Sequence, residues 1–246
     1  MTRGFYNLSS SMMTQNRMLS AISNNIANVK TPGFKKSKIL TKTFDELIIN
    51  RIDGNTTPIG KTSMFRTADI SATVHSQGTV EQTDRTLDFS ITGQGFFAVQ
   101  NQAGNTVYTR SGSFNVDNEG YLILQGVGRV LGENGPIRLG TDQVTADERG
   151  NIYNEKGTAI GKLALYDFAD YKNLLTVGTG LFSGANATKV QNPSIMWKSV
   201  EGSNVNIGEE LSSSIATQRV LQSVSQAIKM YDSTLGSAVT QIGRIN

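Results

Sequence analysis

The stretch EGSNVNIGEELSSSIATQRVLQSVSQAIKMYDSTLGSAVTQIGRIN, residues 201–246, decides the fold of this chain. Within it Leu221, Ile228, Leu235 and Ile242 recur every seven residues, and Val224, Tyr231 and Ala238 do the same at an offset of three. That is the a/d seam of a coiled coil, narrower than the apolar stripe of a globular surface helix. Leu211 and Ile215 lie slightly out of phase, so the seam is expected to begin with a stutter. Asn206 is placed as an N-cap with Glu209 three residues on, the spacing of a capping box. Glu209 and Glu210 then lie at the positive end of the helix dipole. A helix from Ile207 to Gly243 is roughly 55 Å long at 1.5 Å per residue. So long a seam needs a partner.

A partner lies at the other end of the chain. Phe5, Leu8, Met12, Gln15, Leu19, Ile22 and Ile26 alternate in spacings of three and four, a second heptad seam with one polar member. This helix should stop near Asn28, because Pro32 pushes Thr31 away from helical geometry and Gly33 follows. Two readings stay open from periodicity: an antiparallel helix pair packed on its own middle domain, or a pair completed by copies from other chains.

Composition narrows the class. The chain has 246 residues, 37% apolar and 7% aromatic, with 25 glycines and four prolines, which suits a turn-rich β body. A net charge of +3 is too small to imply nucleic-acid binding. With no cysteine there is no disulfide, thiolate metal site or cysteine nucleophile. No apolar run approaches the ~18 residues of a membrane span. Residues 1 to 30 lack the basic start and apolar core of a cleaved secretory signal, so export, if any, is expected by another route.

Between the helices the chain changes character near Gln77. Residues 36–76 read as a linker, with a short helix or strand at Phe44–Ile49, a turn at Asp53-Gly54-Asn55 and a loop at TTPIGKTS. Lys35, Lys36 and Lys38 read as a solvated cluster. Residues 77–200 carry short strand candidates at 106–110, 113–117, 121–125, 135–139, 143–147, 151–155 and 162–168. Hairpin-type turns stand at 102–105, 118–120 and 148–151. That spacing predicts an antiparallel sandwich or barrel. The fold class is therefore α+β, with long terminal helices paired as a coiled coil around a mainly antiparallel β domain. The domains are 1–35 and 201–246 for the helices and 77–200 for the β body.

Chemistry finds little foothold. Gly93-Gln94-Gly95 lacks the third glycine and the following helix of a nucleotide loop, and reads as a tight turn. The single histidine, His75, reads as exposed, with no metal cluster or triad around it. Asp84 and Asp88 read as surface or turn-capping aspartates rather than an acid–base pair. No cofactor is called for.

Four segments then resemble one family. SNNIANVKTPGFKK (23–36) resembles the N-terminal signature of flagellar rod and hook proteins. QGTVEQTDRTLDFSITGQGFFAVQ (77–100) resembles their central signature, which YTRSGSFNVDNEGYLILQGVGRVLGENGPIRL (108–139) continues. EGSNVNIGEELSSSIATQR (201–219) is similar to their C-terminal signature. The four stand in the family's order, cover most of the chain, and fit best the basal-body rod proteins of the FlgF/FlgG type. Gln218-Arg219 and His75-Ser76-Gln77-Gly78 look more like the distal-rod protein; Glu201-Gly202-Ser203-Asn204 and the modest linker look more like the proximal one.

The resemblance implies an inner helical domain, an outer β domain and a structural, non-enzymatic role in the basal body. Subunits would stack helically into a hollow drive shaft that carries torque and serves as export channel. The implied partners are further copies of the chain, other rod proteins, the hook protein and the flagellar type III export apparatus, without nucleic acid or membrane insertion. The implied assembly residues are Leu8, Met12, Leu19, Ile22, Ile26, Leu211, Ile215, Leu221, Val224, Ile228, Tyr231, Leu235 and Ile242 of the seams. Asn24, Asn25, Asn28, Pro32, Gly33 and Phe34 join them from the first motif, and Ser203, Asn204, Val205 and Asn206 from the last. The competing reading is a secreted β-rich glycan- or peptidoglycan-binding module, oligomerised by its helices, with Phe96, Tyr108, Tyr121 and Trp197 as a sugar platform.

Overall fold

The structure is a computed structural model that describes residues 2–43, 47–53, 55–62 and 66–242. The readings at Phe44, Gly54, Ser63 and Gly243 lie outside the described residues, as do the side chains of residues 43–69 and of Ile242. The chain forms two compact units. One holds residues 1–27, 37–73 and 206–246; the other holds 28–36 and 74–205.

The first unit is built on two helices, α1 (Thr2–Ala27) and α2 (Ile207–Ile242). They run antiparallel: Asn25 meets Glu210 near one end, and Gly4 packs on the Tyr231 ring near the other. Asn206 caps α2, its Oδ1 accepting from the backbone N–H of Gly208 at 3.0 Å and of Glu209 at 3.4 Å. α1 stops where expected, in a turn closed by Thr31 N–H donating to the Asn28 carbonyl at 3.1 Å, one residue before Pro32.

Residues 37–73 are not an irregular linker. Ser37–Thr43 pairs antiparallel with Arg66–Thr73, and Leu47–Asp53 with Asn55–Thr62. Bulges at Leu40/Thr41 and Ile49/Asn50 break both registers. These segments are rich in Thr and Ile, residues that suit a pleated surface. Pro58, which read as a loop signal, is tolerated because Asn55–Thr62 pairs on one side only. A lone two-stranded ribbon is marginal in water. Here α1 packs against Ser37–Thr43 and Arg66–Thr73.

The strands of the second unit pair antiparallel, with one 3-10 turn at Tyr171–Asn173. Its main sheet runs Leu175–Gly178, Leu181–Ser183, Thr106–Thr109, Phe96–Asn101, Gly128–Gly132, Leu122–Leu124, Asn115–Val116. Val144–Ala146, Asn151–Asn154 and Ala159–Lys162 make a three-stranded sheet. Phe89–Ile91 pairs with Ile195–Trp197, and Val80–Gln82 with Ser199–Glu201, so the unit's last strands return to its first. The tract 181–197, with its Gly, Asn and Ser residues, thus contributes strands.

One device recurs at the hairpins. Asn101, Asp117, Asp147 and Asn154 each precede, by three residues, a glycine at positive φ: Gly104, Gly120, Gly150 and Gly157. In each, the Asx side-chain oxygen accepts from the backbone N–H four residues on, at 2.8–2.9 Å. The glycine N–H bonds back to the Asx carbonyl at 2.9–3.1 Å. The Asx oxygen takes the place of a missing backbone partner, and glycine accepts the left-handed geometry that closes the hairpin.

Two apolar clusters fill the unit. The larger centres on Phe89, Ile91, Phe97, Phe114, Leu122, Ile152 and Ile195. Gly112 lies under it, where an added Cβ would fall 1.6 Å from the Phe89 carbonyl oxygen. The smaller holds Phe96, Tyr108, Phe168 and Phe182. His75 is not the exposed histidine expected from the sequence. It is half-buried, its ring 5.1 Å from Tyr171, 5.2 Å from Phe182 and 6.0 Å from Phe96. Burial first, and then the charges of Lys35 and Arg110, hold its imidazole down at about 4, against an ordinary 6.5.

Because the folded value is depressed, His75 stabilises the fold fully above about pH 6.5 and loses that contribution as pH falls toward 4. His75→Phe should flatten that part of the acid slope. Thermal melts from pH 7 to 4 measure it; equal slopes for the two proteins would refute the assignment.

Candidate assembly interface

The seam of α2 is continuous and longer than the apolar residues alone indicate. Leu221, Val224, Ile228, Tyr231, Leu235 and Ala238 are half-buried, as the heptad predicts. Toward the helix start the same spacing continues through Thr217, Ser214 and Glu210, of which Thr217 and Glu210 are buried. There is no stutter. Leu211 and Ile215 stand outside the seam, 48% and 54% exposed. The reason is that polar residues occupy the inward positions where apolar ones were sought.

On α1, Leu8, Met12, Gln15, Leu19, Ile22 and Ile26 are half-buried, while Phe5 is exposed. Thr14 and Asn25 are buried. Asn24 is exposed, but Asn25 is no turn residue. Its Oδ1 accepts from Ser37 N–H at 2.9 Å, and its Nδ2 donates to the Ser37 carbonyl at 2.9 Å and to Glu210 Oε2 at 3.1 Å. One amide thus ties α1, the start of a strand and the first turn of α2.

The two motifs flanking the helices meet within the second unit. Asn28 accepts from the Thr31 hydroxyl at 3.1 Å, and Pro32 is half-buried. Gly33 donates its N–H to the Glu201 carbonyl at 2.7 Å; its φ is +70°, and a Cβ there would lie 2.2 Å from Ser111 N. Phe34 and Val205 are buried. Ser203 Oγ accepts from Val205 N–H at 3.3 Å. Asn204 accepts from Lys36 N–H at 2.7 Å and donates to the carbonyls of Val74 at 2.8 Å and Ser76 at 3.1 Å.

Beneath these contacts lies a charge cluster absent from the expectations. Glu201 is wholly buried. It pairs with Lys35 Nζ, accepts from Arg110 Nη1 at 3.2 Å and accepts Gly78 N–H at 3.0 Å. Lys35 also donates to the Ser76 carbonyl at 2.8 Å, so it is not part of a solvated surface. Burial lowers the pKa of Lys35, and Glu201 opposes that shift. Four segments far apart in sequence supply these groups, so no local pattern announces them.

Other expectations are corrected. Asp88 is buried, accepting from the Thr83 hydroxyl at 2.9 Å, whereas Asp84 is exposed. The aromatic platform does not form: Phe96 and Tyr108 are core residues, Tyr121 stacks under Arg129, and Trp197 donates its indole N–H to the Thr86 carbonyl. Among the described residues no group of three His, Cys, Asp or Glu could hold a metal ion, and no helix is long and apolar enough to cross a membrane.

Comparison with known proteins agrees with this arrangement. Residues 5–35 match the family "Flagella basal body rod protein", residues 90–213 match "Flagellar hook protein FlgE/F/G D1 domain", and residues 198–242 match "Flagellar basal body rod FlgEFG protein C-terminal". The chain is 32% identical to the flagellar basal-body rod protein FlgG of Bacillus subtilis, over 97% of this chain and 98% of the relative. It is 32% identical to FlgF of Caulobacter vibrioides, over 96% of each. It is 31% identical to FlgG of Buchnera aphidicola from Acyrthosiphon pisum, over 88% of this chain and 91% of the relative. With motifs, helix seams and matched regions in one order, the chain belongs to the flagellar basal-body rod protein family of the FlgF/FlgG type, which shares its FlgE/F/G domains with the hook protein, and is a structural, non-enzymatic rod subunit.

Proposed function

We propose that this subunit polymerises helically through α1 and α2 into a hollow shaft that transmits motor torque and serves as export channel. Its partners are further copies of itself, the neighbouring rod proteins, the hook protein and the flagellar type III export apparatus. The observation that carries the reading is the apolar surface left on the helices after they pair. Phe5, Tyr6 and Met13 on α1, and Ile207, Leu211, Ile215, Met230 and Val239 on α2, are all exposed. Fully burying one such side chain is worth about 1.5–3 kcal/mol. Covering the remaining exposed half of eight supplies several kcal/mol toward docking, against the cost of association.

Ile207, Leu211 and Ile215 recur every four residues and share a face of α2, which is not the face turned to α1. One subunit therefore offers at least two different apolar patches. Contacts between unlike patches are heterologous and propagate as a helical filament when the rotation does not close. The low net charge of +3 opposes such stacking little.

Electron microscopy with helical averaging, on the full chain beside a copy lacking residues 207–246, is the direct test. Tubes are expected from the full chain alone; tubes from both would remove the helices from the mechanism. Ile228→Asp places a charge in the seam and should lower helical circular dichroism and abolish tubes. Leu211→Asp alters an exposed side chain and should shift stability by no more than about 0.5 kcal/mol, yet still prevent tubes. Wild-type tube yield from Leu211→Asp would show that the outward stripe is not a contact between subunits.

A further inference from the structure

We propose that the buried Asn25–Glu210 pair sets the register in which α1 lies against α2. The two observed contacts, Asn25 with Glu210 and Gly4 with Tyr231, join residues whose numbers add to 235. The seam positions nearest to that alignment, whose numbers add to 236, set Ile22 opposite Ser214, Leu19 opposite Thr217, Met12 opposite Val224 and Leu8 opposite Ile228. Half of the pairing is apolar against polar.

The heptads allow another solution. Sliding α2 by seven residues, about 10 Å at 1.5 Å per residue, keeps every seam position on a seam position. Ile22 would then face Leu221, Leu19 would face Val224, and Leu8 would face Leu235. More apolar surface would be matched with apolar surface. Hydrophobic pattern specifies register only where the slipped alternative is worse, and here it is better. Two features resist the slide: the anchoring of Asn204, three residues before α2, on Lys36, Val74 and Ser76, and a contact inside the helical unit.

Asn25 and Glu210 have the required properties. Both are buried, at 1% and 3% exposure. Asn25 cannot follow a slide, because both ends of its amide are fixed on the Ser37 backbone at 2.9 Å. Glu210 accepts its remaining N–H at 3.1 Å. In the slipped register Glu210 would lie past the end of α1, and Thr217, with a shorter and uncharged side chain, would stand near Asn25. A polar residue at one seam position is the known means of fixing coiled-coil register, at a cost in stability.

The chain has no cysteine, so introduced thiols report register without interference. A Cβ at Gly4 lies 3.3 Å from the Tyr231 ring. Gly4→Cys with Tyr231→Cys, joined by a short bismaleimide on purified monomer, reads the observed register. Gly4→Cys with Ala238→Cys reads the slipped one. In the parent the first link should exceed the second by about tenfold or more. Glu210→Leu should reverse that preference, whereas Glu210→Gln, which can still accept the Asn25 N–H, should keep it. Adding Ser214→Leu and Thr217→Leu to Glu210→Leu makes the observed register apolar and should restore it. If Glu210→Leu keeps the parent ratio, the pair does not set register. If Glu210→Leu loses its helical signal and the added leucines fail to bring back both helix and the 4–231 link, the proposal also fails. None of these readouts depends on polymerisation, so they stand apart from the shaft reading.

Discussion

The β-rich unit depends on one buried carboxyl group. A charge taken out of water costs several kcal/mol unless it is paired and hydrogen-bonded. Glu201 is wholly buried, and its partners come from Lys35, Gly78 and Arg110. Removing one partner of such a group typically costs about 3–5 kcal/mol, because the others are left uncompensated. The turn after α1, the strand return at residues 74–78 and the exit at Glu201 are therefore held together or not at all. The backbone obeys the same constraint. A Cβ on Gly78 would fall 2.1 Å from the Gly202 carbonyl, so the segments can approach this closely only at glycine.

The chain passes between its two units after residues 27, 36, 73 and 205. Each unit secures its own side of these crossings with one asparagine. In the β-rich unit Asn204 bonds to the backbone of Lys36, Val74 and Ser76. In the helical unit Asn25 bonds to the backbone of Ser37 and to Glu210. A primary amide suits both places, because it donates and accepts in one plane and can close two backbone groups at once. Asparagine is a poor helix-interior residue, and its presence in the last turn of α1 is explained by this tie.

What was legible in the sequence follows from how local each signal is. The seams of α1 and α2 repeat within a few residues, so periodicity located both helices, and Pro32 and Gly33 marked where α1 stops. The Asn206 cap and the hairpin turns at Asp117 and Asp147 are equally local. The strand pairs within 37–73 were not legible, because Ser37 pairs with Thr73 across a long gap and the Gly, Pro and Lys residues look like loop. Glu210, Ser214 and Thr217 were missed because a seam was sought by hydropathy, and theirs is wrong. Glu201, Asp88 and His75 were missed because burial of a polar group is set by residues distant in the chain. Three of the four Asx-x-x-Gly turns were read from the sequence, Asn154–Gly157 was not, and their unity appears only once the same hydrogen bond is seen four times.

The first three turns of α2 invert the usual amphipathic rule. Glu210, Ser214 and Thr217 face inward, while Ile207, Leu211 and Ile215 face outward, displaced by about 100° around the axis. Left to apolar burial alone, the helix would roll to bring the isoleucines and leucine under cover. The hydrogen bond from Asn25 to Glu210 opposes that roll as it opposes a slide. The exposed stripe is therefore not an unfinished core. It is kept outward by a polar contact inside the subunit, and the stacking proposed above would draw on the surface that this contact leaves exposed. In this chain a buried amide and carboxyl stand in the seam while the apolar face beside them stays exposed.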